Sequence, residues 1–82
     1  MTANKTTDEP DAVVDARGAT CPGPLMDLIG EIRTVETGAV VALLSDAEKS
    51  TSEVQEWAEE SGNEVTDIVD EGDHDRIYVR KL

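Results

Sequence analysis

Phenylalanine is absent, and Trp57 and Tyr78 are the only aromatic residues in the 82-residue chain. Any core must therefore be built from Val, Ile, Leu and Ala. Cysteine occurs once, as Cys21. That excludes an internal disulfide and fits a free thiol in a reducing compartment. Lysine is scarce: Lys5, Lys49 and Lys81 are the only ones, and 7 basic residues face 19 acids, for a net charge of −12. Phosphate contacts need clustered Lys and Arg, so this balance argues against direct nucleic-acid binding. It also argues against an anionic membrane surface. No apolar run approaches the ~20 residues of a membrane span, and the polar N-terminus has no secretory pattern. The chain therefore reads as cytoplasmic. A glycine-rich phosphate loop and a Ser/His/Asp pattern are also missing.

What is abundant is acid. Either it attracts a basic partner, or the host keeps high internal salt that screens like charges to a few ångströms. Low lysine, high acid and no phenylalanine favour salt adaptation. The length allows one domain with a marginal core. Residues 1–10 are polar with nothing to bury, and are expected as a disordered tail; residues 11–82 form the domain.

Within it, residues 11–16, with β-branched Val13 and Val14, read as a first strand. Leu25, Leu28, Ile29 and Ile32 recur at helical spacing, predicting a helix over 22–35. Gly30 inside it is expected to allow close packing against another element. Residues 39–44 are almost wholly apolar, as a buried central strand should be. Ser50-x-x-Glu53 suggests a capping box for a second helix over 51–61, with Val54, Trp57 and Ala58 inward and Gly62 just past its end. Residues 64–70 alternate imperfectly, which suggests a bulge or an edge position. Residues 76–82 form the last strand, with Ile77 and Val79 on one face and Tyr78 and Arg80 on the other.

Cys21-Pro22-Gly23-Pro24-Leu25-Met26 falls where the first strand gives way to the first helix. A residue before proline is pushed out of the helical region. Cys21 is thus expected as the N-cap, with Pro22 at the first helical position and Pro24 within the first turn, where a missing N–H costs nothing. The N–H groups of Gly23 and Leu25 are then free near the sulfur. With the positive end of the helix dipole they favour a thiolate and lower the thiol pKa. Arg17 adds a positive charge, opposed by Asp15 and Asp27. The alternative is that Cys21 is a small, buried apolar residue.

The pattern Asp15-x-Arg17-Gly18-x-x-Cys21-Pro22-x-Pro24 resembles the signature of the SirA/TusA family of small sulfur-carrier proteins. The likeness is specific over residues 15–26. It continues more loosely through Gly38, Ser45-Asp46 and Trp57-Ala58 to the C-terminus. It implies an α+β fold: a two-layer βαβαββ sandwich whose four-stranded mixed sheet carries both helices on one face. It implies that Cys21 holds sulfane sulfur as a persulfide, without a cofactor. The sulfur would pass from a donor protein of cysteine desulfurase or rhodanese type to an acceptor protein, in tRNA thiolation, molybdenum-cofactor assembly or other sulfur metabolism. Pro22, Gly23, Pro24 and Leu25 would then shape the turn and stabilise the sulfur anion, and Asp15, Arg17 and Gly18 would form the approach loop. Where many members carry basic residues near positions 29 and 30, this chain has Ile29 and Gly30.

Two other readings stand beside this one: a regulatory or docking module in which Cys21 is structural, and a thiol-redox protein. The latter would need a thiol from elsewhere, because no second cysteine can resolve an oxidised Cys21. The loop Asp70, Glu71, Asp73, His74 and Asp75 is the other cluster of candidate ligands. It lacks calcium-loop spacing, and Cys21 with His74 is too few for zinc, so no metal is expected. His74 could act as a base for Cys21 only if this hairpin reached the start of the first helix.

Overall fold

The computed structural model describes residues 10–20 and 23–82. Six elements succeed one another: β1 (Ala12–Asp15), α1 (Gly23–Ile32), β2 (Val40–Ser45), α2 (Ser50–Ser61), β3 (Glu64–Asp70) and β4 (Asp75–Arg80). They form one sheet in the order β1-β2-β4-β3, with β1 parallel to β2 and the other pairs antiparallel. The apolar strand β2 is central, as its composition requires.

One face of the sheet makes the core. Val41 lies opposite Val79 and Leu43 opposite Ile77, and all four are fully buried. Ala12 and Val14 extend this face onto β1. Leu28 and Ile32 from α1 and Val54 from α2 join the same cluster, so both helices cover one face. Trp57 packs half-buried at its margin. On the opposite face Tyr78 pairs with Ala42 and is also buried, at 5% and 1% exposure. Among the described residues no helix covers that face; Arg76 donates from Nη1 to the Tyr78 hydroxyl there at 3.3 Å.

The uneven pattern of β3 has a direct cause. Its pairing steps from Val65 opposite Val79 to Asp67 opposite Tyr78, which leaves Thr66 as an extra residue. The bulge lets Val65 and Ile68, three apart in sequence, both face the core.

Three local expectations need correction. The first helix ends at Ile32, short of residue 35, because the next turns tighten to i+3 bonds and the Thr34 hydroxyl bonds the Glu31 carbonyl at 2.8 Å. The capping box does not form: Lys49 holds the N-cap without a side-chain bond. Ser50 is instead buried, its hydroxyl 2.6 Å from that of Ser45. Gly30 packs against nothing, since a Cβ built there meets no atom within 4 Å. The C-terminal signal of α2 does hold. Gly62 takes φ 82° and its N–H bonds the Ala58 carbonyl.

Charge is distributed unevenly. Helix α2 carries Glu53, Glu56, Glu59 and Glu60 and no basic residue. Like charges three or four apart on a helix cost about 0.2–0.5 kcal/mol per pair. Raising salt from 0.1 to 1 M shortens the screening length from about 10 to about 3 Å. The melting temperature is therefore expected to rise in molar KCl by about 4–8 °C, the shift that ~1 kcal/mol gives a domain of this size. Thermal melts in low and molar KCl check this. Equal melting temperatures would remove salt adaptation as the reason for the acid.

Candidate functional site

Beyond β1 the chain stays tied to β2 for one more residue: the Ala16 N–H donates to the Leu44 carbonyl at 2.8 Å. Arg17 then folds back on Asp15. Its Nε and Nη2 donate to the two carboxylate oxygens at 2.9 and 2.8 Å, and its backbone N–H donates to Oδ1 at 3.2 Å. This two-point contact, with the backbone bond next in weight, lowers the Asp15 pKa from 3.8 to about 2. Arg17 is thus engaged by Asp15, one of the two acids expected to oppose its charge.

A depressed carboxylate adds stability above its unfolded pKa and loses it as pH falls through the folded one. Here that window runs from 3.8 down to about 2. The pair is exposed, so its share of stability is small, and the direct readout is the Asp15 carboxyl resonance. Its NMR titration midpoint is expected near 2 in the wild type and nearer 3.8 in Arg17→Gln. A wild-type midpoint at 3.8 would show that the contact does not persist in solution.

Gly18 turns the loop with φ 88°, a backbone shape that other residues adopt at a cost. Its N–H lies 3.0 Å from both carboxylate oxygens of Asp46, the residue after β2. The Ala19 N–H then bonds the Ala16 carbonyl, and the Gly23 N–H bonds the Thr20 carbonyl at 2.8 Å. The Gly23 amide is therefore not free for a sulfur anion, contrary to the reading from sequence. Cys21 and Pro22 lie outside the described residues, and with them the expected N-cap and first helical position. The first turns of α1 are firmly anchored. Pro24 and Leu28 are fully buried, Leu25 packs half-buried on the core, and Met26 points outward at 59% exposure.

The β3–β4 hairpin closes at this same end of the sheet, where Asp75 pairs with Ser45. Glu71 N–H bonds the His74 carbonyl, and Gly72 N–H bonds Asp70. His74 is only 12% exposed, with Nδ1 at 2.7 Å from Asp73. A cavity of about 280 Å³ lies between this hairpin and Asp46, Ala47 and Glu48. Asp73 is near enough to help raise the Arg17 pKa, behind the larger effect of Asp15. The hairpin thus comes to the end of the sheet from which the first helix starts. Among the described residues no group of three or more His, Asp or Glu side chains is placed to hold a metal.

A second opening, of about 440 Å³, is lined by Gly18, Ala19, Thr20, Asp46, Ala47, Glu48 and Lys49. It borders the segment leading to Cys21. A further cleft of about 500 Å³ between α2 and β3 is lined by Ser52, Gln55, Glu56, Glu59 and Val65 and by no residue of the loop from Asp15 to Thr20. Asp46 was not singled out as a site residue from sequence, where it stood only within the looser family likeness through Ser45-Asp46.

The family model described as "Sulfurtransferase TusA" matches residues 12–81. A provisionally assigned sulfur carrier of Archaeoglobus fulgidus is 47% identical over 70 residues, covering 85% of this chain and 96% of that one. YrkF of Bacillus subtilis, assigned in the same provisional way, is 29% identical over 69 residues, covering 84% of this chain but 37% of the longer relative. The crystal structure of a SirA-like protein from Desulfitobacterium hafniense superposes with a TM-score of 0.74 at 24% identity, covering 84% of this chain and 95% of that one.

Proposed function

The chain belongs to the TusA family, and we propose that it is a sulfur carrier holding sulfane sulfur as a persulfide on Cys21. The 47% identity to the Archaeoglobus relative, over nearly the whole of both chains, is the observation that carries this reading. The Cys21 thiolate attacks the outer sulfur of a persulfide on a donor protein of cysteine desulfurase or rhodanese type. One S–S bond forms as the donor's S–S bond breaks, and the donor cysteine leaves as a thiolate, so oxidation level is conserved across the exchange. An acceptor nucleophile then attacks the outer sulfur and releases the Cys21 thiolate. Each step needs an exposed thiol on a rigid support. Pro24 and Leu28, buried in the core, and the bonded loop from Asp15 to Thr20 supply that support.

Intact mass after incubation with a cysteine desulfurase and cysteine tests the reading. The reduced protein is expected to gain one sulfur that dithiothreitol removes. If it gains none and Cys21 also reacts slowly with an alkylating probe, the docking-module reading takes its place. Rapid alkylation without a gain points to a different donor, to be tried in the same assay.

A further inference from the structure

We propose that Asp46 is a positioning residue for the sulfur-carrying loop, a role that rests on Cys21 being the sulfur-bearing residue. The bond from Gly18 N–H to Asp46 spans 28 residues of sequence and offers both carboxylate oxygens at 3.0 Å to one donor. It falls on the residue whose φ of 88° sets the direction of the chain toward Thr20 and Cys21. Among the described residues the other hydrogen bonds of this loop are local: Arg17 to Asp15, Ala19 to Ala16, and Gly23 to Thr20. Local bonds fix the loop's shape but not its place on the sheet. Between Ala16, which still pairs with Leu44, and the buried Pro24, Asp46 gives the loop's one side-chain tie to another element among the described residues.

Asp46 is also held on its own side. It directly follows Ser45, which is buried, pairs with Asp75 of β4, and shares a hydrogen bond with Ser50 at the start of α2. The Ala47 N–H also bonds the Ser45 hydroxyl, at 3.1 Å. The carboxylate that receives Gly18 is therefore carried by the junction of β2, β4 and α2. A carboxylate is the stronger acceptor here, since a charged partner roughly doubles the worth of an N–H bond.

Asp46 could instead act only as a negative charge near the thiol, and the two roles predict opposite results. As a charge it disfavours the thiolate, so removing it lowers the pH at which Cys21 becomes reactive. As a tie it holds the helix-start setting that favours the thiolate, so losing the bond raises that pH. Asp46→Asn removes the charge and keeps an oxygen acceptor; Asp46→Ala removes both. Glu48→Gln removes a charge from the same cleft and has no bond to Gly18.

The test is the rate of Cys21 alkylation by iodoacetamide against pH, on reduced protein with no partner present. The midpoint of Asp46→Ala is expected to lie about half a pH unit or more above that of Asp46→Asn, with Glu48→Gln close to Asp46→Asn. Sulfur uptake from the desulfurase should fall about tenfold in kcat/KM for Asp46→Ala and be largely restored in Asp46→Asn. Coincident profiles for Ala and Asn would overturn the role and leave Asp46 as a charge alone. Hydrogen exchange covers the case in which Asp46→Ala does not fold. In the wild type the Gly18 amide should exchange about tenfold or more slowly than in an unstructured chain, and unprotected exchange would overturn the proposal. Neither the alkylation profile nor the exchange needs sulfur uptake, so their outcome is separate from that of the carrier reading.

Discussion

With Cys21 replaced by alanine, sulfur transfer from a loaded donor to an acceptor is expected to fall to background, while the melting temperature stays within a few degrees of the wild type. The chain has no second cysteine to take over the persulfide, so a partial loss has no chemical route. The fold should survive because the start of α1 is anchored by other groups. Pro24, Leu28 and Ile32 are buried against the sheet, and the Gly23 N–H bonds the Thr20 carbonyl. A transfer assay and a thermal melt on the same variant separate the two functional readings. Lost transfer with an unchanged melt supports the carrier. A melt lowered by about 10 °C or more would mean that the thiol contributes to packing, as a small buried apolar group does, and would favour the docking module.

Leu28→Ala is expected to produce the opposite pattern, a large loss of stability with no chemistry removed. Leu28 is fully buried in the contact between α1 and the sheet, beside the cluster built from Val41, Leu43, Ile77 and Val79. Truncating a buried leucine costs about 2–5 kcal/mol through lost transfer energy and the cavity left behind. At about 0.05–0.15 kcal/mol per residue, a domain of this length has little to lose, so the substitution consumes a large share of its stability. Denaturant unfolding of Leu28→Ala should show a much lower midpoint with a similar slope. Met26→Ala, two positions away and 59% exposed, should change stability by no more than about 0.5 kcal/mol. Equal effects at the two positions would contradict the assigned orientation of α1.

Both expectations turn on the stretch that was easiest to read. The spacing of Leu28 and Ile32 named the buried side of α1, and residues 39–44 announced a central strand, because each pattern reflects burial by one neighbouring layer. The misreadings share a different cause. Ser50 carries a capping signature, yet its hydroxyl bonds Ser45 across the β2–α2 turn, a partner that a local motif does not reveal. The Gly23 amide was expected to be free, yet the Thr20 carbonyl takes it. Asp46 is paired with a residue 28 positions away, and His74 meets the β2–α2 turn only because β4 is threaded between β2 and β3. Strand order is a global property, and pairwise spacing along the chain does not encode it.

That strand order also separates the ends of the domain from the loop that leads to Cys21. Asp11 and Lys81 both bond the backbone beside the start of β2, at Val40, Gly38 and Ala39, and Leu82 is bonded to Asn63. Ala16 and Gly18 are bonded at the far end of the same strand, to Leu44 and Asp46. Six residues of strand put roughly 16 Å or more between the two ends. A leash joined at residue 11 or at residue 82 would therefore leave the cysteine end free to swing. A domain held this way can visit one protein surface and then another without releasing its tether, and the reach of the tether, rather than free diffusion, would set how often it meets each.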